Sequence, residues 1–181
     1  MSKIPDTVNR YGYGSILLHW IVAGFGLALT WTGYEFMLLP RGAEKSAALA
    51  AHLAAGWGFI ILVIARVAWR LANPLPALAS GPTWQRHAAR TAHWSLLILI
   101  VGITISGYLG VTSGRRPVEV YGLFVAPSFT GPNGFVHGLS EDIHTWLSHI
   151  FVAILAVHVL AALKRSFMDN DGTLRRMLRV D

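Results

Sequence analysis

Four apolar runs alternate with short polar, proline-bearing stretches along this chain. They extend roughly from Ser15 to Met37, from Ala47 to Leu71, from Ala88 to Val111 and from Ile143 to Leu163. Each meets the ~20 residues a helix needs to cross the hydrocarbon core of a bilayer. None contains proline. Pro40, Pro74, Pro76, Pro82, Pro117, Pro127 and Pro132 fall between the runs, where helix stops and turns belong. The first connection, Leu38 to Ser46, is short, and the second, Ala72 to His87, is proline-rich. The third, Thr112 to Asp142, is the longest and carries Gly, Pro, Phe and Tyr throughout, which predicts an ordered cap on the membrane surface. Ser140 followed by Glu141 and Asp142 reads as the start of the fourth helix. Connections this short force antiparallel neighbours. The pattern predicts an all-α fold: one domain over residues 1–181, a membrane four-helix bundle running up-down-up-down.

Composition agrees with the pattern. Hydrophobic residues make up 54% of the 181 residues and charged residues 13%, about half the charged share of a soluble domain. The absence of cysteine removes disulfides, thiolate metal sites, iron–sulfur clusters and haem attached through Cys-x-x-Cys-His. The first fourteen residues are polar and lack a signal-peptide pattern, and the first apolar run is too long for a cleaved one, so it is expected to stay.

The net charge of +6 changes meaning once the spans are placed. Lys3, Arg10, Arg66, Arg70, Arg86, Arg90, Lys164, Arg165, Arg175, Arg176 and Arg179 share one side with both termini; Arg41, Lys45, Arg115 and Arg116 are on the other. This bias of eleven to four predicts that both termini are cytoplasmic, by the positive-inside rule. The basic balance is then a matter of topology, and no nucleic-acid partner is required.

Five of the eight histidines lie in the runs near a helix end. Ionisable residues inside spans are costly and mark function by default. His144 and His158 are fourteen residues apart on the fourth run. At about 100° and about 1.5 Å per residue they fall within roughly 40° of one face and roughly 21 Å apart along the axis. By depth, His52 and His144 lie on the outer side, and His19, His93 and His158 on the inner side. Two bis-histidine sites can be assembled at matched depths, each able to hold a haem iron. The outer one has a single simple solution, His52 with His144. The inner one needs His158 with either His19 or His93, and spacing does not choose. A lone helical histidine is more often a hydrogen-bonded structural residue. Two on one face, with partners at matching depths, reverse that balance. His149 sits about 140° around the helix from His144 and reads as structural or as a hydrogen-bonding neighbour. His87 and His137 read as solvated, in or beside loops.

Other residues are less specific. The helix glycines Gly24, Gly26, Gly33, Gly56, Gly58, Gly102, Gly107 and Gly110 leave room for flat macrocycles, or serve ordinary membrane helix packing. Arg66 and Arg70 suit haem propionates or mark topology. The tryptophans fit an interfacial belt, with Trp94 and Trp146 as candidates for packing near a haem.

These residues together resemble the bacterial cytochrome b561 family. The resemblance rests on His19-Trp20, on His52 with Arg66 and Arg70, and on His93. It continues through Ser113-Gly114-Arg115-Arg116-Pro117 and Tyr121-Gly122-Leu123 to His144 and His158, and ends in Asp169-Asn170 and Thr173-Leu174-Arg175-Arg176-Met177. It covers nearly the whole chain. The resemblance implies two non-covalent haem b groups, with His19 paired to His158 and His52 to His144. It leaves His93 as a near-haem residue, a propionate or quinone neighbour. It also implies an oxidoreductase that takes electrons from superoxide at the periplasmic face and passes them to ubiquinone. The alternative is an electron relay or anchor between the quinone pool and a periplasmic redox protein. For an anionic substrate the outer side offers Arg41, Lys45, Arg115 and Arg116 against Glu35, Glu44, Glu119, Glu141 and Asp142, a net −1 in which Arg115 and Arg116 still form a local pair.

Overall fold

The computed structural model describes residues 4–7, 10–73, 76, 82–115 and 117–178. Lys3, Pro74, Arg116 and Arg179 of the sequence argument, and most of the second connection, lie outside the described residues. Four long helices carry the apolar runs: α1 (Tyr13–Leu38), α2 (Ala43–Ala72), α3 (Thr83–Thr112) and α4 (Gly134–Phe167). All four are long and apolar enough to cross a membrane. A short hairpin, β1 (Glu119–Val120) and β2 (Phe124–Val125), lies between α3 and α4, and a terminal helix α5 (Thr173–Leu178) follows α4.

Every long helix exceeds its apolar run, because helix formation needs backbone hydrogen bonds and not apolarity. The largest difference is in α4. It starts at Gly134, not near Ser140 as the acidic pair suggested. Pro132 blocks helix on the N-terminal side, and the Asn133 side chain accepts hydrogen bonds from the backbone of Phe135 and Val136. Ser140 is a buried residue inside the helix. His137 is likewise helical, and its Nδ1 donates to the Gly110 carbonyl at 2.6 Å. α3 begins at Thr83, directly after Pro82, so His87 is helical too.

The third connection is an ordered cap, as its aromatics suggest, but it contains strands that an all-helical reading does not include. A β-turn centred on Tyr121 and Gly122 joins the strands, with Leu123 N–H donating to the Val120 carbonyl at 2.9 Å. The turn places Tyr121 at φ 52° and Gly122 at φ 68°, the left-handed pair that hairpin turns of this twist require. Glycine adopts it freely and tyrosine does not. The Tyr121 hydroxyl offsets part of that cost by donating to the Ala54 carbonyl on α2. Tyr108 ties the cap to α3 by donating to the Pro127 carbonyl at 2.6 Å.

α1 packs closely on α2, and α3 on α4; α2 meets α3 more lightly, and α1 and α4 touch only sparsely. The small buried core sits at mid-height, where Phe59 and Val63 of α2 meet Ile100 of α3, with Val22, Leu29 and Phe151 packed around them.

The segment around Asp6 and helix α5 gather at one end of the bundle. The Asp6 carboxylate accepts from Gly12 N–H and the Ser15 hydroxyl, both at 2.6 Å, and Trp69 Nε1–H donates to Ser15 at 2.9 Å. α5 is held there by Trp20 Nε1–H donating to the Met177 carbonyl at 2.9 Å. The turn before α5 rests on Asp171, whose carboxylate accepts from Arg165 Nε at 2.5 Å and Thr173 N–H at 2.9 Å. Burial works against the Asp171 charge, but the hydrogen bonds from Thr173 and Arg165 and the guanidinium charge outweigh it and hold the carboxyl below its ordinary 3.8. A carboxyl depressed in the folded state stabilises it above the unfolded value and loses that contribution as pH falls through the folded one. Acidification below 3.8 is therefore expected to release α5. Hydrogen exchange at the Thr173–Leu178 amides, compared between about pH 6 and about pH 3 after correction for the intrinsic rate, checks this; equal protection at both would refute it.

Candidate functional site

The four helices share a register that organises the bundle interior into three layers. His19, Gly26 and Gly33 on α1 are seven residues apart in sequence. So are His52, Phe59 and Arg66 on α2, His93, Ile100 and Gly107 on α3, and His144, Phe151 and His158 on α4. Seven residues are nearly two helical turns, or about 10 Å of rise, so each set stays close to one face. Antiparallel packing aligns the sets. Gly33, His52, Gly107 and His144 meet at the loop end; Phe59, Ile100 and Phe151 pack at the waist; His19, Arg66, His93 and His158 gather toward the termini. The heptad spacing is present in the sequence on all four runs. It goes unseen when histidines alone are compared, because its middle members are Gly, Phe, Ile and Phe.

In the loop-end layer the His52 and His144 rings have centroids 6.1 Å apart at an interplanar angle of 88°. An imidazole nitrogen lies ~1 Å from its ring centre and a metal–nitrogen bond is about 2 Å, so two imidazoles flanking one ion hold their centroids ~6 Å apart. Both rings are oriented by their other nitrogen. His144 Nδ1–H donates to the Ile103 carbonyl at 2.9 Å. His52 Nδ1 lies 3.1 Å from the Thr32 hydroxyl, which itself donates to the Ala28 carbonyl at 3.0 Å and so accepts from the imidazole. These partners assign the proton to Nδ1 and leave Nε2 of each ring available to an ion.

Two glycines make this arrangement possible. A Cβ on Gly107 would lie 3.0 Å from His144 Cε1 and Nδ1, and one on Gly33 would lie 3.3 Å from His52 Cε1. Each ring rests against bare helix backbone. A Cβ on Gly56, one turn beyond His52, or on Gly26, between the layers on α1, would meet nothing within 4 Å. Open space beside paired imidazoles is what a flat macrocycle requires, and the residues present fit a haem at this level.

In the termini-end layer the structure brings both spacing-compatible partners to His158. The His19 ring is 6.4 Å away at 58°, and the His93 ring 5.4 Å away at 72°. The first distance suits an ion between the rings; the second is shorter than that geometry needs. Arg66 Nη1 donates to the Ser15 carbonyl at 3.4 Å, and the Arg70 guanidinium stacks 5.0 Å above Trp94. Neither arginine has a carboxylate within ion-pair distance among the described residues. Two guanidiniums not engaged in an ion pair among the described residues, beside a histidine cluster, are suited to carboxylate groups of a ligand, although Asp6 also acts on Arg66 at longer range. Trp94 thus lies beside this layer, whereas Trp146 is 70% exposed on the bundle surface. His149, read as structural or as a hydrogen-bonding neighbour, makes no hydrogen bond among the described residues; its ring meets those of Tyr34 and Trp146.

Comparison with known proteins accords with this geometry. Residues 10–179 match the family described as prokaryotic cytochrome b561. Cytochrome b561 homolog 2 of Escherichia coli is 32% identical, over 97% of this chain and 95% of its own length. Cytochrome b561 homolog 1 of the same organism is 28% identical, over 94% and 98%. A probable superoxide oxidase, CybB of Yersinia pestis, is 23% identical, over 94% and 96%. Four spanning helices and a match across nearly the full length place the chain in a bacterial inner membrane as a multi-pass, haem b-binding electron-transfer protein, a member of the prokaryotic cytochrome b561 family.

Proposed function

We propose that the chain binds two haem b groups, one held by His52 and His144 and the other by His19 and His158, and that it oxidises superoxide at the periplasmic face with ubiquinone as the electron acceptor. The observation that carries this reading is the pair of cross-helix imidazole contacts, 6.1 and 6.4 Å between centroids, at two levels of one bundle. The lysine and arginine bias supports an orientation with the termini end, including Arg66 and Arg70, in the cytoplasm and the hairpin cap in the periplasm. Held by His52 with His144 and by His19 with His158, haem would supply reversible one-electron exchange. The protein's part is to fix the imidazoles through Ile103 and Thr32, and to offer Arg66 and Arg70 to propionates at the cytoplasmic level.

In the overall reaction two superoxide anions become dioxygen, and the two electrons with two protons convert ubiquinone to ubiquinol. The Yersinia pestis relative's name supports this substrate. So does a pocket of about 200 Å³ lined by Phe36, Arg41, Lys45 and Leu49. Phe36 is one turn beyond Gly33 and Leu49 one turn before His52, so this pocket lies on the cap side of His52, and its two cations favour an approaching anion. The test is superoxide consumption by the haem-loaded protein given ubiquinone; a rate no faster than that of the haem-free protein would reject the reading.

The second reading, a relay between the quinone pool and a periplasmic redox protein, is favoured by the apolar side chains Leu123, Phe129 and Phe135, exposed on or beside the cap. It predicts a copurifying redox protein and slow superoxide turnover by the isolated chain.

A further inference from the structure

His149 and Tyr34 are polar side chains within spanning helices, and among the described residues neither makes a hydrogen bond. Their rings meet edge to face across the seam between α4 and α1, centroids 5.8 Å apart at 71°. Trp146, three residues before His149 on the same face of α4, packs 6.2 Å from the imidazole and is 70% exposed. Trp31, three residues before Tyr34 on the same face of α1, is 74% exposed. Each side of the seam therefore presents a tryptophan and a hydrogen-bond donor one turn apart. This is the seam along which the helices touch sparsely, so a flat ring is not barred from it.

Unpaired donors facing lipid are expensive, because the hydrocarbon offers no acceptor. A partner that relieves both must reach them through the bilayer. It must also carry acceptors on a flat, apolar body that suits the tryptophan faces. A quinone headgroup has these properties: two carbonyl acceptors across one planar ring, with an isoprenoid tail that remains in the lipid. We propose that the α1–α4 seam at Tyr34 and His149 is the docking site of a quinone headgroup, with the imidazole N–H and the phenol O–H donating to its carbonyl oxygens. The seam adjoins the periplasmic histidine level, since Tyr34 follows Gly33, which touches His52, and His149 is five residues beyond His144. This inference rests on the quinone half of the proposed function and adds where the quinone sits.

The test uses the haem-loaded protein in quinone-free lipid nanodiscs with ubiquinone-1 as probe. His149→Leu is expected to weaken binding at least about tenfold, the loss for a hydrogen bond in a desolvated site, and Tyr34→Phe severalfold. The visible haem spectrum should stay as in the unmodified chain, because neither residue is a proposed ligand. Binding by both variants equal to that of the unmodified chain would overturn the seam while sparing the quinone reading; failure of the unmodified chain to bind would overturn both. An azido-quinone photolabel on the unmodified chain needs no variant to fold. Label on Trp31–Glu35 and Trp146–Ile150 supports the seam, and label confined to other segments overturns it.

Discussion

His144→Ala and His158→Ala are each expected to halve the haem content, and to remove different haems. Each histidine supplies one imidazole of a cross-helix pair, and the pairs lie two heptads apart on α4, about 21 Å along the axis. Loss of one imidazole leaves its partner a single ligand without disturbing the other level. The reduced-minus-oxidised visible spectrum, with a haem-to-protein ratio, reads the result. The unmodified chain should show two b haems, and the two variants one each, with distinguishable bands or potentials. Identical spectra from the two variants, with helix content intact by far-ultraviolet circular dichroism, would sink the pairing. The same measurement decides between the partners of His158. At 6.4 Å from the His158 ring, His19 has the spacing of a ligand pair, and at 5.4 Å His93 is too close for an ion between the rings. His19→Ala should therefore lose a haem and His93→Ala should retain both.

Gly107→Ala is expected to lower occupancy of the haem proposed between His52 and His144 while leaving the helix at least as stable. Alanine is favoured over glycine in a helix by about 1 kcal/mol. Its methyl group, however, would stand 3.0 Å from both Cε1 and Nδ1 of His144. The ring is not free to yield, because Nδ1 is bound to the Ile103 carbonyl at 2.9 Å. It must tilt, and the nitrogen facing the ion tilts with it. Gly33→Ala should act in the same direction but more weakly, at 3.3 Å from His52. Gly102→Ala is the matched control. Its Cβ would also find an atom at 3.0 Å, but that atom is Leu147 Cδ1, the far end of a flexible side chain. Haem content and the Soret circular dichroism should change for Gly107→Ala and hold for Gly102→Ala. Equal behaviour of the two would show that the His144 ring is not confined by the glycine.

The hydrophobic pattern located all four spans, since length and apolarity are local properties of the chain. Helix ends were less legible. Glu141 and Asp142 marked the edge of the apolar run but not the edge of α4, which continues to the Asn133 cap. The hairpin at Tyr121-Gly122 was hidden because tyrosine is a poor left-handed residue, held here by its bond to Ala54. His149 read as structural or as a hydrogen-bonding neighbour by its angle from His144, and only packing shows it beside Tyr34 with no hydrogen bond among the described residues.

By itself the sequence determined the topology, the basic side and the depth of each histidine, because these follow from counting residues along straight helices of known rise. It also carried the heptad register of His, Gly, Phe and Arg on every run. Only the tertiary structure decided which rings face one another and at what distance, that Gly107 and Gly33 are the walls behind two imidazoles, and that Arg66 and Arg70 have no carboxylate within ion-pair distance among the described residues. Those facts depend on how far each helix is rotated and how closely it approaches its neighbour. Rotation and approach are set by side-chain packing between distant segments, at the Phe59–Val63–Ile100 waist, and no single run encodes them.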